Sequence, residues 1–153
     1  MKIIIPNSET IELKTLILDL NGTLTVNSHL VDGVSEKIEQ LKHKGLKIVL
    51  FSGDTRGNAQ NIANELGIEL IKTSTGEEKK EEALKLDPNT CVAIGNGLID
   101  ALLFKTVKLS IATLQAEGVH TQAFLEADII VPSVLSAFDL LLDTDSLVAT
   151  VRP

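Results

Sequence analysis

Short apolar runs rich in β-branched residues alternate with helical patterns along most of this chain, and that alternation limits the folds open to it. Runs that predict strands begin near Leu16, Leu46, Ile68, Thr90, Val107 and Asp128. Patterns that predict helices cover residues 33–44, 56–66, 77–86, 98–104 and 120–126, with a last helix from Ser133. Strands that alternate with helices are typical of parallel sheets covered on both faces. The sequence therefore predicts an α/β fold of three layers, a doubly wound and mostly parallel sheet.

Two of the predicted strands are apolar at successive positions, at residues 48–51 and 92–94. Continuous apolar runs of this kind indicate strands that helices cover on both faces. We expect these two strands to be central in a Rossmann-like sheet.

The first residues predict a small addition to this sheet. An apolar run at 3–5, a turn at residues 6–8 and a second short strand from Thr10 to Leu13 indicate a β-hairpin within residues 1–14. Both an edge strand that extends the sheet and an oligomer contact are open interpretations of it. With 153 residues, the chain is expected to form one domain over residues 1–153.

Composition disfavours several classes of partner. The formal net charge is −7 and the sequence has no Trp or Tyr, whereas binding of single-stranded nucleic acid combines a basic groove with stacking aromatic rings. No apolar run reaches the roughly 18 residues of a membrane-spanning helix, and the N-terminus lacks a signal-peptide pattern. We expect a cytoplasmic protein that binds neither nucleic acid nor membrane. The lone Cys91 is interpreted as a small buried apolar residue.

Polar residues directly follow three of the predicted strands, and a lysine pair stands near the start of a predicted helix. These groups are Asp19, Ser52-Gly53-Asp54, Gly95-Asn96-Gly97-Leu98-Ile99-Asp100, and either Lys79 or Lys80. Ligands of open α/β sheets bind beyond the carboxyl ends of the strands. The sequence therefore predicts that these groups share one site.

A nucleophilic carboxylate, a hydroxyl, an ammonium group and a second carboxylate are what aspartyl-phosphate chemistry with Mg²⁺ requires. Asp19 would attack phosphorus and bind the metal, with Asp100 as the second anionic ligand. Ser52 and Lys79 would contact the phosphoryl oxygens. Backbone amides of the turn Asn21-Gly22-Thr23, together with Gly53, would complete the phosphate-binding site.

With these residues in place, the chain resembles the haloacid dehalogenase superfamily, and within it the phosphorylation domain of P-type ATPases, over nearly its whole length. Residues 19–25, Asp-Leu-Asn-Gly-Thr-Leu-Thr, are similar to the nucleophile motif D-x-x-G-T-L-T. Ser52-Gly53-Asp54-Thr55 resembles the T-G-D segment, Lys79 falls at the phosphate-contacting lysine, and residues 95–101 resemble the metal loop G-D-G-x-N-D-A. The resemblance, strongest to small soluble P-type ATPase-like proteins, implies a Mg²⁺-dependent phosphohydrolase.

Three positions depart from the pattern of that family. Asn21 replaces the aspartate that exchanges protons with the leaving group and with water, so the resemblance implies slow turnover. Asn96 replaces a metal-binding aspartate, and its amide oxygen can still coordinate a metal. The resemblance assigns the same role to the amide oxygen of Asn21. Ile99 replaces a polar residue next to Asp100, and nothing in the sequence explains that change.

The segments between Asp19, Ser52 and Lys79 are short, which leaves no room for a cap domain over the site. Within the family, a missing cap implies a macromolecular substrate, a protein partner, or a neighbouring copy of the chain that covers the site. Two other functions stay open. One is a binding or regulatory protein on the same fold without useful turnover, and the other is a phosphoacceptor domain of the response-regulator kind, which would order these groups differently along the chain.

Overall fold

A computed structural model describes residues 1–53 and 57–153 as a parallel sheet covered by helices on both faces. The strands are β1 (Lys2–Ile4), β2 (Thr10–Glu12), β3 (Thr15–Asp19), β4 (Thr25–Val26), β5 (His29–Leu30), β6 (Lys47–Ser52), β7 (Glu69–Lys72), β8 (Cys91–Gly95), β9 (Leu109–Thr113) and β10 (Ile129–Val131). The helices are α1 (Val34–His43), α2 (Asn58–Leu66), α3 (Gly76–Leu84), α4 (Ala101–Thr106), α5 (Thr121–Glu126), α6 (Val134–Leu142) and α7 (Thr144–Val151). Short 3-10 turns cover Pro88–Thr90 and Leu98–Asp100. The predicted α/β fold is confirmed.

The main sheet has six parallel strands in the order β10-β9-β8-β3-β6-β7. The chain first winds outward from β3 through β6 to β7, and then returns to the other side of β3 to form β8, β9 and β10. Strand β3 therefore lies between the two strands that we expected to be central, and the middle of the sheet is β8 and β3. The order reverses at β3, which is where open α/β sheets bind their ligands.

Strand β3 is buried at all five positions because its side chains alternate between two apolar cores. Leu16 and Leu18 belong to the larger core, and Ile17 belongs to the smaller core on the opposite face. At about 25 cal/mol per Å² of apolar surface, this double burial holds the end of β3 firmly in place.

The predicted N-terminal hairpin is present, with Lys2 opposite Glu12 in an antiparallel pair. It forms a two-stranded sheet of its own, so the interpretation as an edge strand that extends the main sheet is wrong. Ile3 and Ile11 are buried in the larger core, which fixes the hairpin against the body of the domain.

Two local features differ from what the sequence predicted. The last helix divides at Asp143, whose side chain accepts hydrogen bonds from the amides of Asp145 and Ser146 and so begins α7 as a cap. The sequence did not predict the hairpin of β4 and β5, whose turn places Asn27 and Ser28 at positive φ. In the predicted helix 56–66, residue 56 lies outside the described residues.

No helix among residues 1–53 and 57–153 combines the length and the hydropathy that a membrane crossing requires.

Candidate active site

The carboxyl ends of β3, β6 and β8 bring most of the predicted site residues to one edge of the sheet. Asp19 is the last residue of β3, and Ser52 is the last residue of β6. Strand β8 ends at Gly95 and leads directly into Asn96, followed by the 3-10 turn that contains Asp100. The sheet order thus assembles groups that lie far apart in the sequence.

Lys79 is the centre of this assembly. Its Nζ atom donates to Asp19 Oδ1 at 2.7 Å and to Asp100 Oδ1 at 2.6 Å. The Lys79 and Asp100 side chains are fully buried, and the Asp19 side chain is 11% exposed. A fully buried ammonium group is tolerated only when it is paired and hydrogen-bonded, as it is here.

The choice between Lys79 and Lys80 follows from the face of α3 on which each lies. Lys79 shares the buried face of the helix with Ala83, whereas the Lys80 side chain is 43% exposed and pairs with Glu77. Thr75 begins the helix because its hydroxyl accepts a hydrogen bond from the Glu78 amide. Within the acidic and basic run 77–82, Lys79 therefore enters the site.

Burial and neighbouring charges shift the pKa of Asp19 and the pKa of Lys79. Burial, supported by the charge of Asp100 and opposed by Lys79, raises the pKa of Asp19 to about 6. Burial by itself would lower the pKa of Lys79, but the charges of Asp19 and Asp100 and the hydrogen bonds to both raise it above the ordinary value. Lys79 is therefore a permanent cation between the two carboxylates.

Asp100 anchors the loop after β8. Its Oδ2 atom accepts hydrogen bonds from the amides of Asn96 at 3.0 Å and Gly97 at 2.9 Å, while Oδ1 accepts from Lys79. Both oxygens are thus engaged inside the protein. Oδ1, with a single donor, is the Asp100 oxygen that retains acceptor capacity for the metal role that the sequence predicted.

The turn after Asp19 uses its backbone internally. Gly22 adopts φ +75°, its amide donates to the Thr25 carbonyl at 2.9 Å, and the Thr23 amide donates to the Leu20 carbonyl at 3.2 Å. The Gly22 and Thr23 amides that we expected to bind phosphate therefore hold the turn in shape. The Thr23 hydroxyl lies between two of the predicted site residues, 3.5 Å from Asp19 Oδ2 and 3.4 Å from Asn96 Oδ1.

Asn21 and Asn96 differ in their surroundings. Asn21 is exposed at the surface of the turn. Asn96 is half-buried, and its Nδ2 atom donates to the Gly118 carbonyl at 2.9 Å, so its oxygen is turned toward Thr23. A carboxylate at position 96 would lack the donor that Gly118 requires, which is a structural reason for the amide.

Ser52 and Gly53 lie beside the end of β7. Ser52 is buried, and its carbonyl accepts a hydrogen bond from the Thr73 amide at 3.1 Å. A Cβ atom on Gly53 would come within 2.8 Å of the Thr73 carbonyl oxygen, so glycine permits this close approach. Asp54 and Thr55, the remaining residues of the predicted motif, lie outside the described residues.

Sequence reasoning missed two residues at this edge. Gln115 donates from Nε2 to the carbonyls of Gly22 at 3.0 Å and Thr23 at 2.8 Å. Thr73 is 1% exposed, and its hydroxyl finds no hydrogen-bond partner within the described parts of the chain. Only the change from apolar to polar residues after Ile71 marked the region of Thr73 in the sequence, and Gln115 lies in an irregular loop that has no pattern.

The oxygen donors fit a hard divalent cation that keeps much of its water. Among residues 1–53 and 57–153, no group of three or more His, Cys, Asp and Glu side chains is placed to hold a metal ion. Mg²⁺ needs only one or two carboxylates, with waters and substrate oxygens completing its shell. Asp19 Oδ2 and Asn96 Oδ1, which make long contacts of 3.5 and 3.4 Å with the Thr23 hydroxyl, are the donors that fit.

Comparisons with known proteins identify a family and several relatives. The model of the haloacid dehalogenase-like hydrolase family matches residues 27–107, which include Ser52, Lys79, Asn96 and Asp100. A copper-exporting P-type ATPase of Staphylococcus saprophyticus is 28% identical over 124 residues, which are 79% of this chain and 15% of the ATPase. A copper-transporting ATPase of Helicobacter pylori is 32% identical over 130 residues, 80% of this chain and 17% of that protein. The chain therefore spans only a small part of these relatives.

A shorter relative and two solved structures complete the comparison. An uncharacterised protein of Methanocaldococcus jannaschii is 42% identical over 73 residues, 47% of this chain and 78% of that protein. The 3-deoxy-D-manno-octulosonate 8-phosphate phosphatase of Moraxella catarrhalis, solved with magnesium and phosphate ions, has a TM-score of 0.72 at 20% identity and covers 92% of this chain and 94% of its own. A second solved structure, from Vibrio cholerae, has a TM-score of 0.73 at 20% identity and covers 88% of this chain and 86% of its own. At these identities the two structures show the fold.

The family match and the shared fold lead to one conclusion: this chain belongs to the haloacid dehalogenase-like hydrolase family and resembles the phosphorylation domain of P-type ATPases.

Proposed function

We propose that this protein is a Mg²⁺-dependent phosphohydrolase that acts slowly through an aspartyl-phosphate on Asp19. The observation that carries this proposal is the state of the Asp19 carboxylate, which is buried at the end of β3 with Oδ1 held by Lys79 at 2.7 Å. Oδ2 lies 3.5 Å from the Thr23 hydroxyl, which is a long contact. One oxygen is thus fixed by a cation while the other can attack phosphorus.

In the first half-reaction, Asp19 Oδ2 forms a bond to phosphorus as the bond to the leaving oxygen breaks. Lys79 stabilises the negative charge of the phosphoryl group, and the buried hydroxyls of Ser52 and Thr73 are donors at the same edge of the sheet. The buried Thr73 hydroxyl has no partner among residues 1–53 and 57–153, and a bound oxyanion or water would satisfy it.

Proton transfer is the weak point of this chemistry. The leaving oxygen must take its proton from solvent, because the amide of Asn21 has no proton to exchange. In the second half-reaction, water attacks phosphorus and loses its proton to solvent, the bond to Asp19 breaks, and inorganic phosphate leaves. Asn21 cannot remove the proton of that water, so we expect the phosphoenzyme to persist longer than in enzymes with an aspartate at this position.

Mg²⁺ would be held by Asp19 and Asn96, with Asp100 and Asn21 as the other positions that the family resemblance assigns to the metal. When bound, the ion neutralises phosphoryl oxygens and orients the phosphate. The substrate is a phosphorylated small molecule or macromolecule, and a second copy or a protein partner would cover the open site.

A catalytically silent binding or regulatory protein is the second candidate. It is favoured by the engagement of both Asp100 oxygens within the chain and by the Asn96 amide, which removes one anionic metal ligand. Such a protein would bind Mg²⁺ and phosphate without turnover.

The decisive experiment follows hydrolysis of an aryl phosphate with and without Mg²⁺. Wild type should release phosphate slowly, Asp19→Asn should abolish release, and Asn21→Asp should accelerate it, since general acid–base catalysis contributes about 10²–10⁴-fold. Asp145→Asn, on the exposed start of α7, is the matched control and should behave as wild type. A wild-type protein that binds beryllofluoride but forms no phosphoenzyme and releases no phosphate would leave only the silent function.

A further inference from the structure

The loop of residues 114–120, between β9 and α5, contacts the turn Asn21-Gly22-Thr23 that follows Asp19. We call this segment the nucleophile turn. Gln115 in this loop is half-buried and makes three hydrogen bonds through one side chain. Its Nε2 atom donates to the carbonyls of Gly22 and Thr23 at 3.0 and 2.8 Å, and its Oε1 atom accepts from the Val134 amide at 2.9 Å. Gln115 therefore links the turn after Asp19 to the first residue of α6.

The direction of these bonds makes the link strong. The Val134 amide is at the N-terminus of α6, where backbone N–H groups lack partners inside the helix and carry partial positive charge. Donation from this amide to Oε1 polarises the Gln115 side chain and makes Nε2 a better donor. Two carbonyls of the turn accept from that donor, and the buried Thr113 hydroxyl also donates to the Gly22 carbonyl at 3.3 Å.

The same loop reaches two other segments of the site. Glu117 Oε1 accepts a hydrogen bond from the Asn27 amide at 2.7 Å in the hairpin of β4 and β5. The Gly118 carbonyl accepts from Asn96 Nδ2 at 2.9 Å. One short loop thus touches both the segment that carries Asp19 and the segment that carries Asn96.

The geometry points to Gln115 as a positioning residue for the reaction of Asp19. Through the Gly22 and Thr23 carbonyls it fixes the orientation of those peptide groups, and with them the Thr23 hydroxyl between Asp19 and Asn96. Gln115 acts through the turn and does not touch phosphorus. This inference rests on the proposed phosphohydrolase function.

Two substitutions separate positioning from simple support. Gln115→Met keeps the length of the side chain and removes all three hydrogen bonds. Gln115→Glu keeps the acceptor for Val134 but turns a carboxylate oxygen toward two carbonyl oxygens. Gln40→Met is the matched control, because Gln40 is exposed on α1 and donates only to Glu36 in the described structure.

We expect kcat for an aryl phosphate to fall about ten- to a hundredfold in Gln115→Met, and further in Gln115→Glu, while KM changes little. Hydrogen exchange of the Gly22 and Thr23 amides, each bonded within the turn, should be faster in both variants. Assays well below Tm keep the comparison among folded proteins. Gln40→Met should change neither quantity.

A lower Tm in Gln115→Met with unchanged kcat and unchanged exchange at Gly22 and Thr23 would overturn the inference and leave Gln115 a structural residue. If wild type has no turnover, the proposed function fails and the positioning role fails with it, and exchange then tests only the structural link between Gln115 and the turn. Unchanged protection of the two amides would refute the link, and faster exchange would support it.

Discussion

Lysine–carboxylate pairs at the two ends of the parallel strands have similar lengths and very different surroundings. At the carboxyl ends, Lys79 lies 2.6 Å from Asp100, and both side chains are fully buried. At the amino ends, Lys47 at the start of β6 lies 2.9 Å from Glu69 at the start of β7, with side chains 55% and 54% exposed. The same chemical pair is therefore an interior feature at one end of the sheet and a solvated surface feature at the other.

The difference in burial shows which of the two pairs can be explained by its contribution to folding stability. An exposed pair contributes about 0–1 kcal/mol and is screened by salt. A buried arrangement loses several kcal/mol of hydration per ion, and apolar residues of the same volume are often at least as stabilising. Stability alone therefore gives no reason for a buried lysine between two carboxylates, whereas the proposed stabilisation of a phosphoryl group would.

The largest contrast is expected from removing the lysine at each end. Lys79→Met leaves two buried carboxylates without a cation and should lower the free energy of unfolding by about 3–5 kcal/mol. Lys47→Met should change it by less than about 1 kcal/mol. Urea denaturation followed by circular dichroism measures both. Adding Asp100→Asn to Lys79→Met should recover part of the loss, and equal effects of the two single changes would refute the comparison.

Glycines at the two ends offer a second contrast. Gly22 has φ +75°, and a Cβ atom there would clash with Asn96 Nδ2. Gly45, just before β6, has φ +88°, and a Cβ atom there would have open space around it within the described structure. Gly22→Ala should therefore cost about 2–4 kcal/mol, from backbone strain together with the clash, and Gly45→Ala about 1–2 kcal/mol from strain alone. Equal losses in urea denaturation would show that the Asn96 contact yields without cost.

A smaller effect is expected at Asn96. Asn96→Asp places a carboxylate oxygen against the Gly118 carbonyl and should cost about 1–3 kcal/mol. The matched change Asn64→Asp, at an exposed residue of α2, should have little effect. Titration with Mg²⁺ provides a second measurement. A variant that is as stable as wild type and binds Mg²⁺ more tightly would show that the amide only weakens the metal site.

The smallest expected signal concerns the amino end of β8. Burial, with a contribution from the charge of Asp87, raises the pKa of the Cys91 thiol to about 11. Because the thiolate is the reactive form, iodoacetamide should label native Cys91 slowly at neutral pH, and labelling should speed up as pH rises toward that value. Mass spectrometry of native and urea-unfolded protein measures the rates. Equal labelling at neutral pH would contradict the buried environment.

Much of the fold could be predicted because its signals are local. The apolar run that forms β3 and the helical spacing of α1 each lie within a dozen residues, and the structure has both. The turn of β4 and β5 carried only a weak signal, because Asn27-Ser28 lacks the glycine that marks most turns of this kind. The position of β3 between β6 and β8 had no local signal at all.

The candidate site likewise has residues that the sequence could predict and residues that it could not. The sequence placed Asp19, Ser52 and Asp100 after strands, and the topology of a parallel sheet brings such residues to one edge. It favoured Lys79 through the family resemblance and left Lys80 open, because a charged run at a helix start does not reveal which residue faces inward. Gln115 was missed because its partners Gly22 and Thr23 are 93 and 92 residues away.

By itself, the sequence determined the alternation of strands and helices, the polar residues that end the strands, and the family whose motifs they form. These features depend on periodicity and spacing, which neighbouring residues specify. Only the tertiary structure decided that Lys79 lies between two carboxylates, that Asn96 turns its amide to Gly118, and that Gln115 supports the nucleophile turn. Those contacts join segments 21 to 93 residues apart, and their energies depend on burial and direction, which exist only once the sheet has formed.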